Sequence, residues 1–272
     1  MRFAFAPGDI APGEYSKCFE LSKKYGFKGV NVNGIELYAG SGEEILKSGL
    51  QISQMGVWDY NPLIPEEKAH DHVIKCIDAA ASFGFKSSVT FGAGGYAVPN
   101  SWIAHPDNWT RRARKAAAEN IRPLAKYAEK KGVSISLEPH TANVANNIEN
   151  TLDLLELIGV KNVGITLDIV NYCTVEAYYD TTALIDKYAN GLRDCIIDVH
   201  IKDVVILPEM IVYMKECSPG LGNLNLVRYL EKIDEILKDD AWAIVEHVPA
   251  EETEAALDTV LEAARTAGVS FK

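Results

Sequence analysis

The chain has 272 residues, 47% of them hydrophobic and 24% charged, which is typical of a folded protein with a sizeable core. Its net charge of -11 argues against a surface that binds the phosphate backbone of nucleic acids. No apolar run is long enough to cross a membrane, and the five cysteines are scattered without a C-x-x-C pair, so we expect reduced thiols and a cytoplasmic protein.

Short apolar runs alternate with amphipathic stretches along the whole chain. The predicted strands are 3–6, 29–33, 51–58, 86–91, 133–138, 163–168, 195–202 and 241–246. The predicted helices are 14–25, 42–48, 66–83, 109–131, 148–158, 181–188, 224–237 and 251–267. Eight such units in one chain favour an α/β fold, a (β/α)₈ TIM barrel formed by one domain over residues 1–272. No G-x-G-x-x-G follows the first strand, which disfavours an open dinucleotide-binding sheet.

Two long loops, 92–108 and 204–223, follow predicted strands and therefore lie at the mouth of the barrel. The first carries Tyr96 and Trp102, and the second carries Tyr213 and Met214. We expect both loops to cover the mouth and to exclude water from the site.

Four consecutive predicted strands carry a side chain able to bind a metal at or near their C-terminal ends, where barrel active sites lie. These side chains are Glu138, Asp168, His200 and Glu246. Taken singly, each glutamate could be a salt-bridge partner and the histidine a hydrogen-bonded barrel residue. Together, three crowded carboxylates repel one another unless a cation neutralises them. The sequence therefore predicts one divalent cation, with Mn²⁺ preferred and Mg²⁺, Co²⁺ or Zn²⁺ as alternatives.

Three further residues are candidates for catalysis or substrate binding. Side chains alternate along a strand, so His140 follows Glu138 on the same face and is a candidate acid or base, or a loop hydrogen-bonding residue. Lys202 follows His200 in the same way and could hold a substrate oxygen; the alternative is a salt bridge to Asp203 or Asp198. Trp58, at the end of the third strand, could stack on a sugar or belong to the rim of the core.

The alternation also predicts that His247 points away from the site, because it has the opposite parity to Glu246.

The chain resembles the xylose isomerase-like TIM barrels, the sugar isomerase and epimerase superfamily that also contains inosose dehydratases and apurinic endonucleases. The resemblance covers essentially the whole chain and rests on five segments: Leu137-Glu138-Pro139-His140, Thr166-Leu167-Asp168, Val199-His200-Ile201-Lys202-Asp203, Val245-Glu246-His247 and Pro219-Gly220-Leu221-Gly222. It implies that the four strand-end residues bind one cation. It also implies that Glu138 and Glu246 flank the reacting carbon as bases.

The chain departs from the ketose 3-epimerases of this superfamily at three positions. Asn171 stands where they tend to carry a histidine, Val144 where they carry a glutamate, and Asn31 where many relatives have a glutamate. These differences argue against a free-ketohexose epimerase and leave the metal site untouched. Asn171 joins Trp58, His140 and Lys202 as a predicted substrate-binding residue.

The predicted function is that of a metal-dependent isomerase or epimerase, which acts on a keto-sugar through a metal-stabilised enediolate. The same first step serves a dehydratase or lyase that acts on a keto-sugar, an inosose or a 3-keto-glycoside. Phosphodiester hydrolysis is disfavoured because strands 3 and 4 end without the histidines that a zinc cluster needs. A non-enzymatic subunit role is a third alternative. The expected partner is a small sugar, with neither nucleic acid nor membrane, and homo-oligomerisation is left open.

Overall fold

Eight short strands pair in parallel and close into a barrel in the described part of the chain. The computed structural model describes residues 2–6, 15–96, 102–237 and 240–269. The strands are β1 (Arg2–Phe5), β2 (Gly29–Asn33), β3 (Gln51–Gly56), β4 (Ser88–Gly92), β5 (Ser134–Glu138), β6 (Val163–Asp168), β7 (Ile196–Ile201), β8 (Asp203–Leu207), β9 (Tyr213–Cys217) and β10 (Trp242–Val245). The order around the barrel is β1-β10-β7-β6-β5-β4-β3-β2, and β8 pairs with β9 in a separate antiparallel hairpin.

The helices run between the barrel strands and supply the core with one apolar face each. They are α1 (Ser16–Tyr25), α2 (Gly34–Lys47), α3 (Glu67–Ala81), α4 (Arg111–Lys131), α5 (Ile148–Ile158), α6 (Thr181–Leu192), α7 (Leu226–Ile236) and α8 (Thr253–Thr266). The predicted α/β barrel is confirmed, with a helix after each of its eight strands. No described helix combines the length and the apolar character needed to cross a membrane.

Two predicted elements are wrong. The second helix is Gly34–Lys47 and not a short helix over 42–48, so residues 34–41 are helical although they include the poor helix formers Gly34, Gly40 and Ser41. Tertiary contacts stabilise it: the amide of Ile35 donates to His72 Nε2 at 2.9 Å, and the ring of Tyr38 packs on Phe83 at 5.5 Å. The second error is the long loop predicted over residues 204–223, because this segment contains most of the β8–β9 hairpin.

The interior of the barrel is polar below the mouth. Asp198 on β7 accepts hydrogen bonds from Ser88 Oγ at 2.7 Å, from Gln54 Nε2 at 3.2 Å and from the amide of Trp242 at 2.8 Å. His200 and Lys202 follow on the same side of the chain, and both are buried. The side-chain alternation predicted for this stretch is therefore present.

The loop after the hairpin is held by one buried carboxylate, that of Asp203. Its Oδ1 accepts from the amides of Val204 and Leu224, at 2.8 and 2.9 Å. Its Oδ2 accepts from the amides of Gly220 and Gly222, at 3.0 and 3.1 Å. A Cβ added at Gly222 would lie 2.3 Å from Asp203 Oδ1, so this close approach requires glycine. The Pro219–Gly222 segment is thus wrapped around Asp203.

Replacing Asp203 with asparagine should lower the free energy of unfolding by about 2 kcal/mol, because an amide nitrogen would face two of the four backbone donors. Gly222→Ala should also destabilise the protein, through the clash with the carboxylate. Gly84→Ala is the matched control, since a Cβ at Gly84 has nothing within 4 Å. Urea unfolding measures all three variants. Equal stability of the Asp203 and Gly84 variants would show that the carboxylate does not hold the loop.

Candidate metal centre and active site

The four predicted metal ligands meet at the mouth of the barrel. Glu138 ends β5, Asp168 ends β6, His200 lies on β7, and Glu246 directly follows β10. One ligand atom from each lies within 4.8 Å of the others, and all four side chains are buried. A single divalent cation about 2.1 Å from each donor needs ligand atoms no more than about 4.2 Å apart, so only small shifts are required. The cluster could therefore hold one divalent cation.

The orientation of His200 follows from the polar layer below it. Gln54 Nε2 donates to Asp198 and to Thr166 Oγ1, so the Gln54 oxygen is the atom that faces His200. His200 Nε2 lies 3.2 Å from that oxygen and must carry a proton to bond with it. In the neutral ring, Nδ1 then carries the lone pair, and this is the nitrogen that faces the carboxylates.

The surroundings of His200 Nδ1 fit a cation. This buried atom lies 3.1 Å from Glu246 Oε2 and 3.5 Å from Glu138 Oε1, yet it forms no hydrogen bond of acceptable geometry with the described residues. A lone pair that faces two carboxylates is unfavourable unless a proton or a metal ion lies between them. Burial and the neighbouring glutamates raise the pKa of Asp168, against the opposing charge of Lys202. Imidazole and carboxylate together suit the divalent metals named above.

Lys202 lies beside the cluster with its ammonium group surrounded by carboxylates. Its Nζ is 2.7 Å from Asp168 Oδ2, 2.6 Å from Glu216 Oε1 and 3.4 Å from Glu246 Oε1. Burial would lower the pKa of Lys202, but these three charges outweigh burial and raise the pKa well above its usual value. The alternative prediction, that Lys202 forms a salt bridge with Asp203 or Asp198, is wrong. Asp203 is occupied by the loop amides, and Asp198 lies deeper in the barrel.

Glu216 is a site residue that sequence reasoning missed. It lies on β9 of the hairpin and reaches back to Lys202, while its other oxygen accepts from His247 Nδ1 at 2.7 Å. Burial would raise the pKa of Glu216, but the hydrogen bond from His247 and the charge of Lys202 lower it to about 2. The only available signal was the β-prone character of the segment that carries it.

The prediction that His247 points away from the site is wrong. β10 ends at Val245, so the alternation on which the prediction rested does not extend to position 247. His247 adopts φ of +54°, a conformation uncommon for residues other than glycine, and this turns its ring toward Glu216.

Asn171 and His140 lie near Glu138 at the cluster. Asn171 Nδ2 donates to Glu138 Oε1 at 2.8 Å and so orients one of the two glutamates. His140 Nδ1 accepts from the amide of Ala142 at 2.9 Å, so the neutral ring carries its proton on Nε2. Burial, with the charge of Lys202, lowers the pKa of His140 and favours this neutral form. His140 is thus better suited to donate a hydrogen bond than to accept a proton.

A cavity of about 430 Å³ lies above the cluster. The predicted substrate-binding residues Trp58, Asn171, His140 and Lys202 all line it, as do Glu138 and Glu246. Trp102, from the first long loop, forms part of the wall with its ring centroid 6.0 Å from that of Trp58. Part of that loop, 97–101, lies outside the described residues. Closure of the two loops over a substrate stays a prediction.

A family model described as xylose isomerase-like TIM barrel matches residues 10–266 of the chain. The chain belongs to the xylose isomerase-like TIM barrel family. The resemblance inferred from the strand-end motifs is confirmed by this match. No curated protein gives a significant match to the sequence.

Solved structures similar to this xylose isomerase-like TIM barrel cover nearly all of it. The 3-keto-D-glucoside 4-epimerase from E. coli is 21% identical over 98% of this chain and 99% of its own, with a TM-score of 0.72. The probable 3-DHS dehydratase from Bacillus anthracis is 17% identical over 98% and 99%, with a TM-score of 0.71. A xylose isomerase-like TIM barrel protein from Mycobacterium smegmatis, solved with magnesium, is 17% identical over 97% of both chains, with a TM-score of 0.69. At these identities the likeness is one of fold.

Proposed function

We propose that this chain is a metal-dependent enzyme that removes and returns a proton beside the carbonyl group of a keto-sugar, so that it epimerises or isomerises the sugar. One observation carries the proposal: Glu138 and Glu246, two members of the four-residue cluster, both line the cavity and approach His200 Nδ1 from different strands. Two carboxylates beside one substrate site suit proton removal on one face and proton return on the other. The fold shared with a 3-keto-D-glucoside 4-epimerase supports this assignment.

The chain's own residues supply the proton transfer. A divalent cation, Mn²⁺ in our proposal, would polarise the substrate carbonyl when bound to the cluster. One glutamate takes the proton from the carbon next to the carbonyl, and the C–H bonding pair moves toward the carbonyl oxygen. The ammonium of Lys202 holds Asp168 and Glu246 in place through its contacts with them at 2.7 and 3.4 Å. Return of a proton to the opposite face of the same carbon gives the epimer, and return to the neighbouring carbon gives the isomer.

Glu138 and Glu246 have different surroundings. Asn171 fixes one oxygen of Glu138 through a neutral hydrogen bond. Burial would raise the pKa of Glu246, but the charges of a protonated His200 and of Lys202 outweigh burial and lower it; a cation bound at His200 Nδ1 would take the place of that proton. Trp58 and Trp102 cover part of the cavity and reduce the access of water to the reacting carbon.

A dehydratase or lyase is the second candidate, and His140 favours it. The neutral imidazole holds its proton on Nε2, within the cavity wall, and could donate a hydrogen bond to a departing hydroxyl group. The first half of the reaction would be the same proton removal. The β-hydroxyl group would then leave with the electron pair of the C–O bond and take up the proton held by the glutamate, so that it departs as water and no proton returns to carbon.

Proton exchange in deuterium oxide tests the proposed function. The protein is loaded with Mn²⁺ and incubated with a panel of keto-sugars and 3-keto-glucosides, and the products are followed by NMR and mass spectrometry. We expect deuterium on the carbon next to the carbonyl, with no exchange after chelation of the metal or in His200→Ala. A product that has lost water would assign the lyase reaction. The absence of exchange in every sugar, from protein that binds Mn²⁺, would contradict both.

A further inference from the structure

The charge of the cavity is unfavourable for an anionic substrate. The proposed cation would offset Glu138 and Glu246 at the reacting end of the cavity; elsewhere the lining includes Glu216, and Lys202 is the sole lysine or arginine among the described lining residues. The ammonium of Lys202 already contacts three carboxylates. His247, the other group that could become cationic beside Glu216, donates to that same glutamate at 2.7 Å. No cation on the wall is therefore left to pair with a phosphate or carboxylate of the substrate.

Two segments near the mouth that the structure does not describe also lack lysine and arginine. Segments 7–14 and 97–101 lie outside the described residues, and they follow β1 and β4, whose C-terminal ends form part of the mouth. Their sequences, PGDIAPGE and AVPNS, contain no lysine or arginine. Neither segment can supply a lysine or arginine partner for an anionic group.

The cavity is larger than one sugar ring requires. A volume of about 430 Å³ corresponds to about 14 water molecules at roughly 30 Å³ each. A single hexose has fewer non-hydrogen atoms than this, and its covalently bonded atoms pack more closely than water molecules do. A ring bound at the metal cluster would therefore leave part of this space free for a further group.

Aromatic side chains form part of the cavity wall beside the cluster. His140, two residues after Glu138, lies edge-on to Trp102 with ring centroids 5.8 Å apart. The ring centroid of Trp58 lies 6.0 Å from that of Trp102. Trp58 is fixed by a hydrogen bond from Nε1 to Asn33 Oδ1 at 3.0 Å. Its ring lies close over Gly56, where a Cβ would come within 2.6 Å of the indole nitrogen. A held indole surface of this kind suits the C–H face of an uncharged sugar.

From these observations we infer that the substrate is an uncharged keto-glycoside of at least two groups, whose second ring stacks on the Trp58–Trp102 wall, and that sugar phosphates and sugar acids are excluded. The inference rests on the proposed function for the position of the reacting ring.

Binding of non-reacting sugars tests the inference without turnover. Isothermal titration calorimetry of the Mn²⁺-loaded protein compares cellobiose, glucose and glucose 6-phosphate. We expect cellobiose to bind about tenfold more tightly than glucose, from the apolar surface that its second ring covers. Glucose 6-phosphate should bind more weakly than glucose. Tighter binding of the phosphate, or equal binding of cellobiose and glucose, would overturn the inference.

Variants at the wall locate the second ring. Trp102→Ala should abolish the preference for cellobiose over glucose, while Trp102→Phe should keep most of that preference. Trp109→Ala is the matched control, because Trp109 is exposed and does not line the cavity. A preference for cellobiose that survives Trp102→Ala would contradict the stacking. If cellobiose binds as expected while no keto-sugar exchanges a proton, the proposed enzymatic reaction is wrong. The inference that the site binds an uncharged sugar of at least two groups is then still supported.

Discussion

Replacing Glu246 with glutamine is expected to reduce turnover by about 10²–10⁴-fold, the usual effect of losing a well-placed base. The amide keeps the size of the side chain and one oxygen that can bind the cation, but it cannot accept a proton. Glu246 lies 3.1 Å from His200 Nδ1 and 3.4 Å from Lys202 Nζ, at the floor of the cavity. We therefore expect the variant to retain part of its bound metal, as measured by elemental analysis, and to lose proton transfer.

The comparison that assigns the base uses three variants of the same site. Solvent deuterium exchange at the carbon next to the carbonyl is measured for Glu246→Gln, Glu138→Gln and His140→Ala. If the two glutamates serve opposite faces of the substrate, each variant loses proton transfer at one face. Proton removal from that face and proton return to it should then both stop. His140→Ala should be much less impaired, since its Nδ1 is bonded to the amide of Ala142. Normal exchange by Glu246→Gln together with none by His140→Ala would replace the two-glutamate scheme with a histidine base.

A surface variant separates this effect from a general loss of negative charge. Glu254→Gln makes the same chemical change on α8, where the side chain is exposed and pairs with Lys24. Exposed ion pairs contribute little to stability, so this protein should fold, bind metal and exchange protons as the unmodified chain does.

The strand ends were predictable from sequence because two simple rules fix them. An apolar run bounded by polar residues marks a barrel strand, and the active site of such a barrel lies at the C-terminal ends of its strands. Glu138, Asp168, His200 and Glu246 satisfy both rules, and the fold brings them within 4.8 Å. Local sequence was enough here because each ligand depends on its own strand alone.

The contacts around Lys202 were not predictable in the same way. Asp198 and Asp203 are its acidic neighbours in sequence and were the expected salt-bridge partners. Asp198 instead accepts from the amide of Trp242 inside the barrel, and Asp203 accepts from loop amides. The true partner Glu216 reaches it only because β8 and β9 fold back as a hairpin. That hairpin brings a distant carboxylate to the mouth, which no periodicity within β7 indicates.

Gln54 was missed for a related reason. It lies in the middle of β3, where a buried polar residue reads as an interruption of an apolar strand. Its role emerges only when the barrel closes and places it against Asp198 and His200, 144 and 146 residues away along the chain. Sequence patterns identify which side chains face the barrel interior, but not which of them meet across it.

Gln54 leads to the second large effect that we expect. Gln54→Leu should weaken binding of Mn²⁺ by about 10–100-fold, the usual cost of removing a residue that orients a metal-binding histidine. Leucine is similar in size but cannot accept the proton of His200 Nε2, so the ring loses the bond that leaves Nδ1 free for the cation. Calorimetric titration with Mn²⁺ measures the affinity, and the shift in melting temperature on adding Mn²⁺ gives a second readout.

Two further variants make this result specific. Ser88→Ala removes another hydrogen bond to Asp198 in the same polar layer, at 2.7 Å, without touching His200. It should lower stability and leave the affinity for Mn²⁺ unchanged. His200→Ala should lose nearly all bound metal, and full metal content in that variant would exclude the cluster as a metal site. If His200→Ala loses the metal while Gln54→Leu binds it as tightly as the unmodified protein, the histidine is a ligand whose orientation does not depend on Gln54.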